Sequence, residues 1–445
     1  MATMAPPAPL RYANEIRSPD LDPAYTSPAT PARRRRPRAA DQKPAAGDAV
    51  AQAPQQPDIE WIPSFKSYRD RNLRRLRNGG LKKTLPEGFP TKLESPLAWE
   101  GDELREEEYI VELSALEIEE TEEALRAFKS KGISISCINR QNFVLPTLGP
   151  RLIALGASLY YGRGFFVLRG LEPQKYSSED NVLIYVGLSS YVAEKRGRQD
   201  EHNNMLLHLI DLTSEVAPDN LRQAPYSNVQ QPYHTDIGDI LALYTLSQAK
   251  KGGKSKITSS WTIYNDLAES RPDHIDTLQS PDWIFDTFGR PGEPYYQRPL
   301  LFNQAGKIIF AFSRRILTGS KVSPRSKTIP PMTDAQADAL DALHFTAEKH
   351  SLTLDNKRGD ILFWNNMSIL HAREGFTDGT SRDQKRHLLR LWLRSEEHAW
   401  ETPDCLKSAW NVAYGDNDIS TELWPIEPIT DRDHVTTQRR SSGHG

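Results

Sequence analysis

Apolar and polar positions alternate in two different rhythms along the chain. After Ser114, the apolar residues Ile118, Leu125 and Phe128 recur at helical spacing. Ser114 and Glu117 fit a capping box and Gly132 sits at a plausible stop, so a helix is predicted there. Tyr160–Leu171 reads as a buried strand, with Phe165-Phe166-Val167-Leu168 between Gly164 and Gly170. From about residue 225, short strand patterns dominate: Ile240–Leu246, Lys256–Ser260, Ile308–Phe312, Ile361–Asn365 and His387–Leu393. One helix interrupts them, capped by Thr333 and Gln336, with Ala337, Leu340, Leu343 and Ala347 as its apolar stripe. Many short strands with a few inserted helices predict a mainly β protein: a jelly-roll double sheet with a helical N-terminal extension and insertions. No internal repeat is found.

Composition divides the chain further. Eleven of its 32 prolines precede Trp61, and Tyr12 and Tyr25 are the only aromatics in the first 58 residues. Such a stretch buries too little apolar surface to offset its ordering entropy, so residues 1–58 are expected to be a disordered tail. A basic linker is expected over 59–98, a catalytic domain over 99–415 and a second tail over 416–445. Lys66–Lys83 holds eight basic residues against one Asp, and Glu100–Glu123 holds twelve acidic ones. These blocks read as solvated faces that nearly cancel, rather than as a nucleic-acid surface.

Charge and cysteine content exclude several functions. With 56 basic and 59 acidic residues the net charge is -3, unlike a protein built mainly to bind nucleic acid. No apolar run approaches the ~18–20 residues of a membrane span. Cys137 and Cys405 alone rule out a disulfide framework and a cysteine-rich zinc site. The run Arg33–Arg38 reads as a solvated charge run or as a nuclear signal. A cytoplasmic protein is expected, with nuclear retention as the alternative. Expected partners are small molecules and, as an option, a second copy of the chain.

Metal chemistry in this chain must rest on histidine and carboxylate. His-x-Asp occurs twice, as His234-Thr235-Asp236 and His274-Ile275-Asp276. Chance supplies about one or two such triplets, so local structure must separate them. Pro272 and Asp273 look like a helix start, and on a helix residues two apart diverge. His234 instead follows Gln231-Pro232-Tyr233 at a strand entrance, where residues two apart point the same way. His371, after the Gly359–Asn366 segment, is the best third ligand, and a buried core histidine is the competing reading. Two histidines and a carboxylate on one face of iron leave three positions open. On the strand Arg386–Arg394, Arg386, Leu388, Arg390, Trp392 and Arg394 share one face. Arginines beside a metal site call for anionic partners, and the guanidinium fork suits a carboxylate.

In this order, His234-Thr235-Asp236, Gly252-Gly253-Lys254-Ser255, the Gly359–Asn366 strand leading to His371, and the Arg386–Leu393 strand resemble the taurine dioxygenase-like (TauD/TfdA) family. These are iron(II)- and 2-oxoglutarate-dependent oxygenases, and the resemblance is strongest to the fungal clavaminate synthase-like branch. It spans about residues 100–415. It implies a double-stranded β-helix, and Fe(2+), 2-oxoglutarate and O2 as cofactor and cosubstrates. It implies that His234, Asp236 and His371 hold the iron. Arg386, with Ser255 where the family often has threonine, would meet the distal carboxylate of 2-oxoglutarate. Arg390 would face an anionic group on the substrate, and Tyr233, Gln231, Gln230 and Asn228 are further candidate contacts.

The implied reaction oxidises a C–H bond of a small, anionic organic substrate, most simply by hydroxylation in secondary metabolism, with release of succinate and CO2. Two other readings are carried: a nuclear oxygenase acting on a macromolecule, and an inactive jelly-roll binding protein. A zinc hydrolase is disfavoured because no His-Glu-x-x-His helix is present.

Overall fold

Ile361–Asn365 is apolar at nearly every position, so it needs cover on both faces and partners on both edges. In the computed structural model, which describes residues 56–415 and 418–436, all five of its residues are buried. It pairs antiparallel with Phe165–Arg169 on one side and with Ile240–Ser247 on the other. The larger sheet continues outward to Ile110–Glu112 at one edge. At the other edge it passes through His387–Arg394 to Lys195–Gly197 and Leu207–Ile210. A second sheet has the order Leu352–Leu354, Ser255–Ser259, Ile369–Arg373, Gln231–His234. Neighbours in both sheets come from distant parts of the sequence, and a cavity of about 140 Å³ lies between them.

The two capped helices form where their sequences place them. Ala115–Ser130 is capped reciprocally by Ser114 and Glu117, and Asp334–Lys349 by Thr333 and Gln336. The strand expected over Tyr160–Leu171 is shorter, Phe165–Arg169, because Tyr160 closes a helix over Leu148–Tyr161. Glycines hide that helix from a search for apolar periodicity. A Cβ on Gly149 would lie 2.5 Å from the Tyr191 ring, and one on Gly156 would lie 2.4 Å from the Val192 carbonyl. Both glycines let the helix press against Ser178–Val192. Lys307–Phe310 forms a strand near the expected place, but it pairs with Leu301–Gln304 in a separate two-stranded sheet.

The basic stretch expected as a linker is instead docked. Ser64 caps a helix over Phe65–Asn78. Arg71, 1% exposed, pairs with Asp341, which also binds Arg314 at 2.5 Å. Arg75 pairs with the buried Asp338 at 2.7 Å. Arg71 and Arg75 thus meet carboxylates of the Asp334–Lys349 helix, while Lys66 and Arg69 pair with Asp70, Lys82 pairs with Asp276, and the other basic residues of the block are exposed as expected. Residues 418–436, expected as a tail, also pack on the body. Leu423 bridges to Asn204, and Val435 is buried with Leu207, Leu212 and Tyr226. Most of the expected N-terminal tail, with Arg33–Arg38, lies outside the described residues. Among those described, no helix is long and apolar enough to cross a membrane.

Candidate metal centre and its cavity

Strand register brings the candidate ligands together. His234 ends the strand Gln231–His234 and lies directly across from His371 on Ile369–Arg373. Their rings are 4.2 Å apart. Asp236 follows at the strand end, and one donor atom from each of the three residues lies within 4.8 Å of the others. His234 Nδ1 is 3.0 Å from the Pro232 carbonyl. A carbonyl only accepts, so Nδ1 carries the proton and Nε2 keeps its lone pair on the side of Asp236 Oδ1, 3.6 Å away. Burial lowers the pKa of both histidines, that of His371 far below the usual value. Neutral imidazoles with free lone pairs, beside one carboxylate, suit a non-haem iron. Trp364 packs against the His371 ring at 4.9 Å.

The other His-x-Asp pair separates. His274 lies in the helix Pro272–Leu278 and is fully buried near Asp338, while Asp276 turns outward to Lys82 at 2.7 Å.

Asp236 is fixed from the opposite sheet. Its Oδ2 accepts from Arg390 Nη1 at 2.6 Å and from Trp392 Nε1 at 3.3 Å. Arg390, expected to face the substrate, thus reaches the carboxylate of the metal cluster, with its Nε on Gln199 at 3.0 Å. Arg394, further along the strand, binds Asp239 at 2.7 Å.

Arg386 and Ser255 line the same cavity. Arg386 is 4% exposed and lies over the Phe376 ring, 5.4 Å from its centroid. Its Nε donates to the Gly253 carbonyl at 3.2 Å, and its Nη1 is buried with no partner. Burial pushes its pKa down to about 10, so it remains cationic at neutral pH. Gly253 permits the approach: its φ is +76°, and a Cβ there would sit 2.9 Å from Arg386 Cδ.

Gln231 lines the cavity, and its side chain donates to the Ala224 carbonyl at 3.0 Å. Tyr233 requires a correction. Strand alternation sends its ring to the opposite face from His234, where it packs against His344 at 5.4 Å and does not line the cavity. Asn228 and Gln230 do not line it either. Sequence reasoning missed Trp61, Arg314, Arg315 and Arg373 on the wall, and Asn366 behind Asp236. Trp61, Arg314 and Arg315 lie far from the metal cluster in sequence and left no local signal, whereas Arg373, two positions after His371 on the same strand, could have been found by the alternation used for His234 and Asp236.

The signature of the taurine catabolism dioxygenase TauD, TfdA family matches residues 127–392, which contain the whole metal cluster. The chain belongs to this family. It is therefore an iron(II)- and 2-oxoglutarate-dependent dioxygenase. The dioxygenase is 37% identical over 346 residues to the taurine hydroxylase-like protein SAT17 of Stachybotrys chartarum, covering 76% of this chain and 89% of that one. It is 25% identical over 281 residues to FR-33289 synthase of Streptomyces rubellomurinus, covering 62% and 81% respectively. The fold is similar to that of an asparagine oxygenase solved with Fe(II), 2S,3S-3-hydroxyasparagine and succinate. That likeness has a TM-score of 0.50 at 14% identity and covers 64% of this chain and 93% of that one.

Proposed function

We propose that His234, Asp236 and His371 hold the iron and that Arg386 with Ser255 holds the distal carboxylate of 2-oxoglutarate. The observation that carries this reading is the placement of a compact two-histidine, one-aspartate cluster in the same cavity as a buried arginine with an unpartnered Nη1. A buried cation with free donors favours an anionic partner, and a carboxylate fits its fork. We further propose that the two sheets form a double-stranded β-helix, with the ligands on the smaller sheet and the arginines on the larger.

The substrate of this reading is a small organic molecule, hydroxylated at an unactivated C–H bond in secondary metabolism. The cavity size supports a small molecule, and the similarity to a taurine hydroxylase-like protein supports hydroxylation. Bound iron supplies the oxidising power, coupled to decarboxylation of 2-oxoglutarate. The chain's own residues position the reactants. The Pro232 carbonyl sets the His234 tautomer, Arg390 and Trp392 steady Asp236, and Trp364 fixes the His371 ring. Screening iron-dependent succinate release over candidate substrates tests the reading. Unchanged succinate formation in His234→Ala would overturn it.

A further inference from the structure

Five arginines line the cavity, Arg314, Arg315, Arg373, Arg386 and Arg390, against one carboxylate, Asp236. Four of them have work in the protein or in the reading above. Arg390 binds Asp236, Arg314 binds Asp341, and Arg373 donates to the Ser227 and Val229 carbonyls. Arg386 is assigned to 2-oxoglutarate. Arg315 stands apart: among the described residues no carboxylate pairs with it, and its Nη1 is buried without a partner. Burial lowers its pKa to about 10, which leaves it charged at neutral pH.

The surroundings of Arg315 hold it in place without neutralising it. Its guanidinium lies 5.6 Å from the centroid of the Phe288 ring. Phe288 has a left-handed backbone with φ +52°, uncommon for a bulky side chain. Its N–H donates to Asp286 Oδ1 at 2.7 Å, and Asp286 also accepts from the Ser326 N–H at 2.6 Å and from its hydroxyl at 2.9 Å. Strain of this kind persists where the surroundings over-determine it, often at a ligand clamp. The neighbouring Arg314 also presents a buried, unpartnered Nη1.

Arg315 is half-buried, but its Nη1 is enclosed without a partner; an unmatched cation on a cavity wall is costly, and 2-oxoglutarate supplies only enough charge for the metal and Arg386. We propose that Arg315, assisted by Arg314, receives an oxyanion of the substrate, a carboxylate or sulfonate, and so determines specificity. This rests on the dioxygenase reading and moves the anion-binding role expected of Arg390 to the Ser313–Arg315 wall.

Calorimetric titration of the full chain tests it, without oxygen and with iron(II) and saturating 2-oxoglutarate so that the Arg386 end is filled. The probes are propanesulfonate, butanoate and the neutral butanamide. The expected result is at least tenfold tighter binding of one of the anions than of butanamide. Arg315→Gln removes that preference and Arg315→Lys keeps part of it. Thermal unfolding of Arg315→Gln is expected at or above the wild-type midpoint, because a half-buried charge with no carboxylate partner is relieved. A structural arginine would lower it. Equal binding of anions and butanamide by the wild type overturns the proposal. So does an anion preference that survives Arg315→Gln and vanishes in Arg390→Gln. Failure of iron-dependent 2-oxoglutarate turnover would instead remove the dioxygenase reading, and titration of Arg386→Gln with and without Arg315→Gln, in the absence of iron and 2-oxoglutarate, still reads Arg315.

Discussion

The Asn366 side chain closes a ring of hydrogen bonds on the backbone of Asp236. Its Oδ1 accepts from the Asp236 N–H at 3.1 Å, and its Nδ2 donates to the Asp236 carbonyl at 2.7 Å and to that of Gly238 at 2.9 Å. Asn366 is 2% exposed and follows the central strand of the larger sheet, so it ties the end of the ligand strand to the opposite layer. Groups that orient metal ligands change affinity by roughly 10–100-fold when removed. Asn366→Ala is expected to weaken iron(II) binding by about that factor. Iron titration of the purified variant checks it, and an unchanged dissociation constant would show that Asp236 is positioned without Asn366.

Replacing a proposed ligand has a larger effect. Asp236→Ala and His371→Ala are each expected to abolish iron-dependent succinate release. Asp236→Ala also strips Arg390 of its 2.6 Å partner. Single-turnover assays with added iron measure this, and retained turnover in either variant would remove that residue from the ligand set.

Arg386→Ala is expected to raise the KM for 2-oxoglutarate. A hydrogen bond to a charged group contributes about 1.5–3 kcal/mol, which corresponds to roughly 10–100-fold. Arg386→Lys is expected to recover only part of the loss, because the ammonium lacks the fork. Steady-state kinetics with 2-oxoglutarate varied decides this, and a KM unmoved in Arg386→Ala would place the cosubstrate elsewhere.

The Arg71–Asp341–Arg314 cluster predicts a stability effect. Breaking a buried ion pair by removing one partner costs about 3–5 kcal/mol, because the other charge stays buried. Asp341→Ala strands two arginines and is expected to reach at least the upper part of that range. A thermal midpoint within one degree of wild type would show that the cluster contributes little.

His274 predicts a pH dependence. Burial holds its pKa down, from 6.5 to about 4. As pH falls below 6.5, the unfolded chain takes up a proton that the folded protein refuses until about 4. Its contribution to stability is therefore complete above 6.5 and declines by roughly 3 kcal/mol on the way to pH 4. In His274→Leu the loss of stability between pH 7 and pH 4 is expected to be smaller by that amount. Denaturant midpoints of both proteins across that range test it.

Legibility followed the range of the interactions. Ile361–Asn365 and the two reciprocal helix caps were readable because each is written in adjacent residues. The pairing of His234 with His371 across one register was expected only through the family resemblance, since spacing alone left a buried core histidine equally open. Arg71 looked like part of a solvated basic block because its carboxylate lies 270 positions away. Arg315 carried no signal either, since its significance lies in the absence of a partner that only the fold reveals. Tyr233 was misplaced for a local reason: the alternation used for His234 and Asp236 also turns Tyr233 outward.

Trp61 forms part of the cavity wall, although the family signature begins only at residue 127. The segment that carries it is anchored by the helix beginning at Phe65, whose Arg71 shares Asp341 with the cavity-lining Arg314. A protein cropped to the signature would keep every proposed iron ligand yet open its pocket on one side. Changes in this region can therefore reshape what fits the pocket while leaving the oxidising centre untouched, so new substrates can be acquired without redesigning the catalyst.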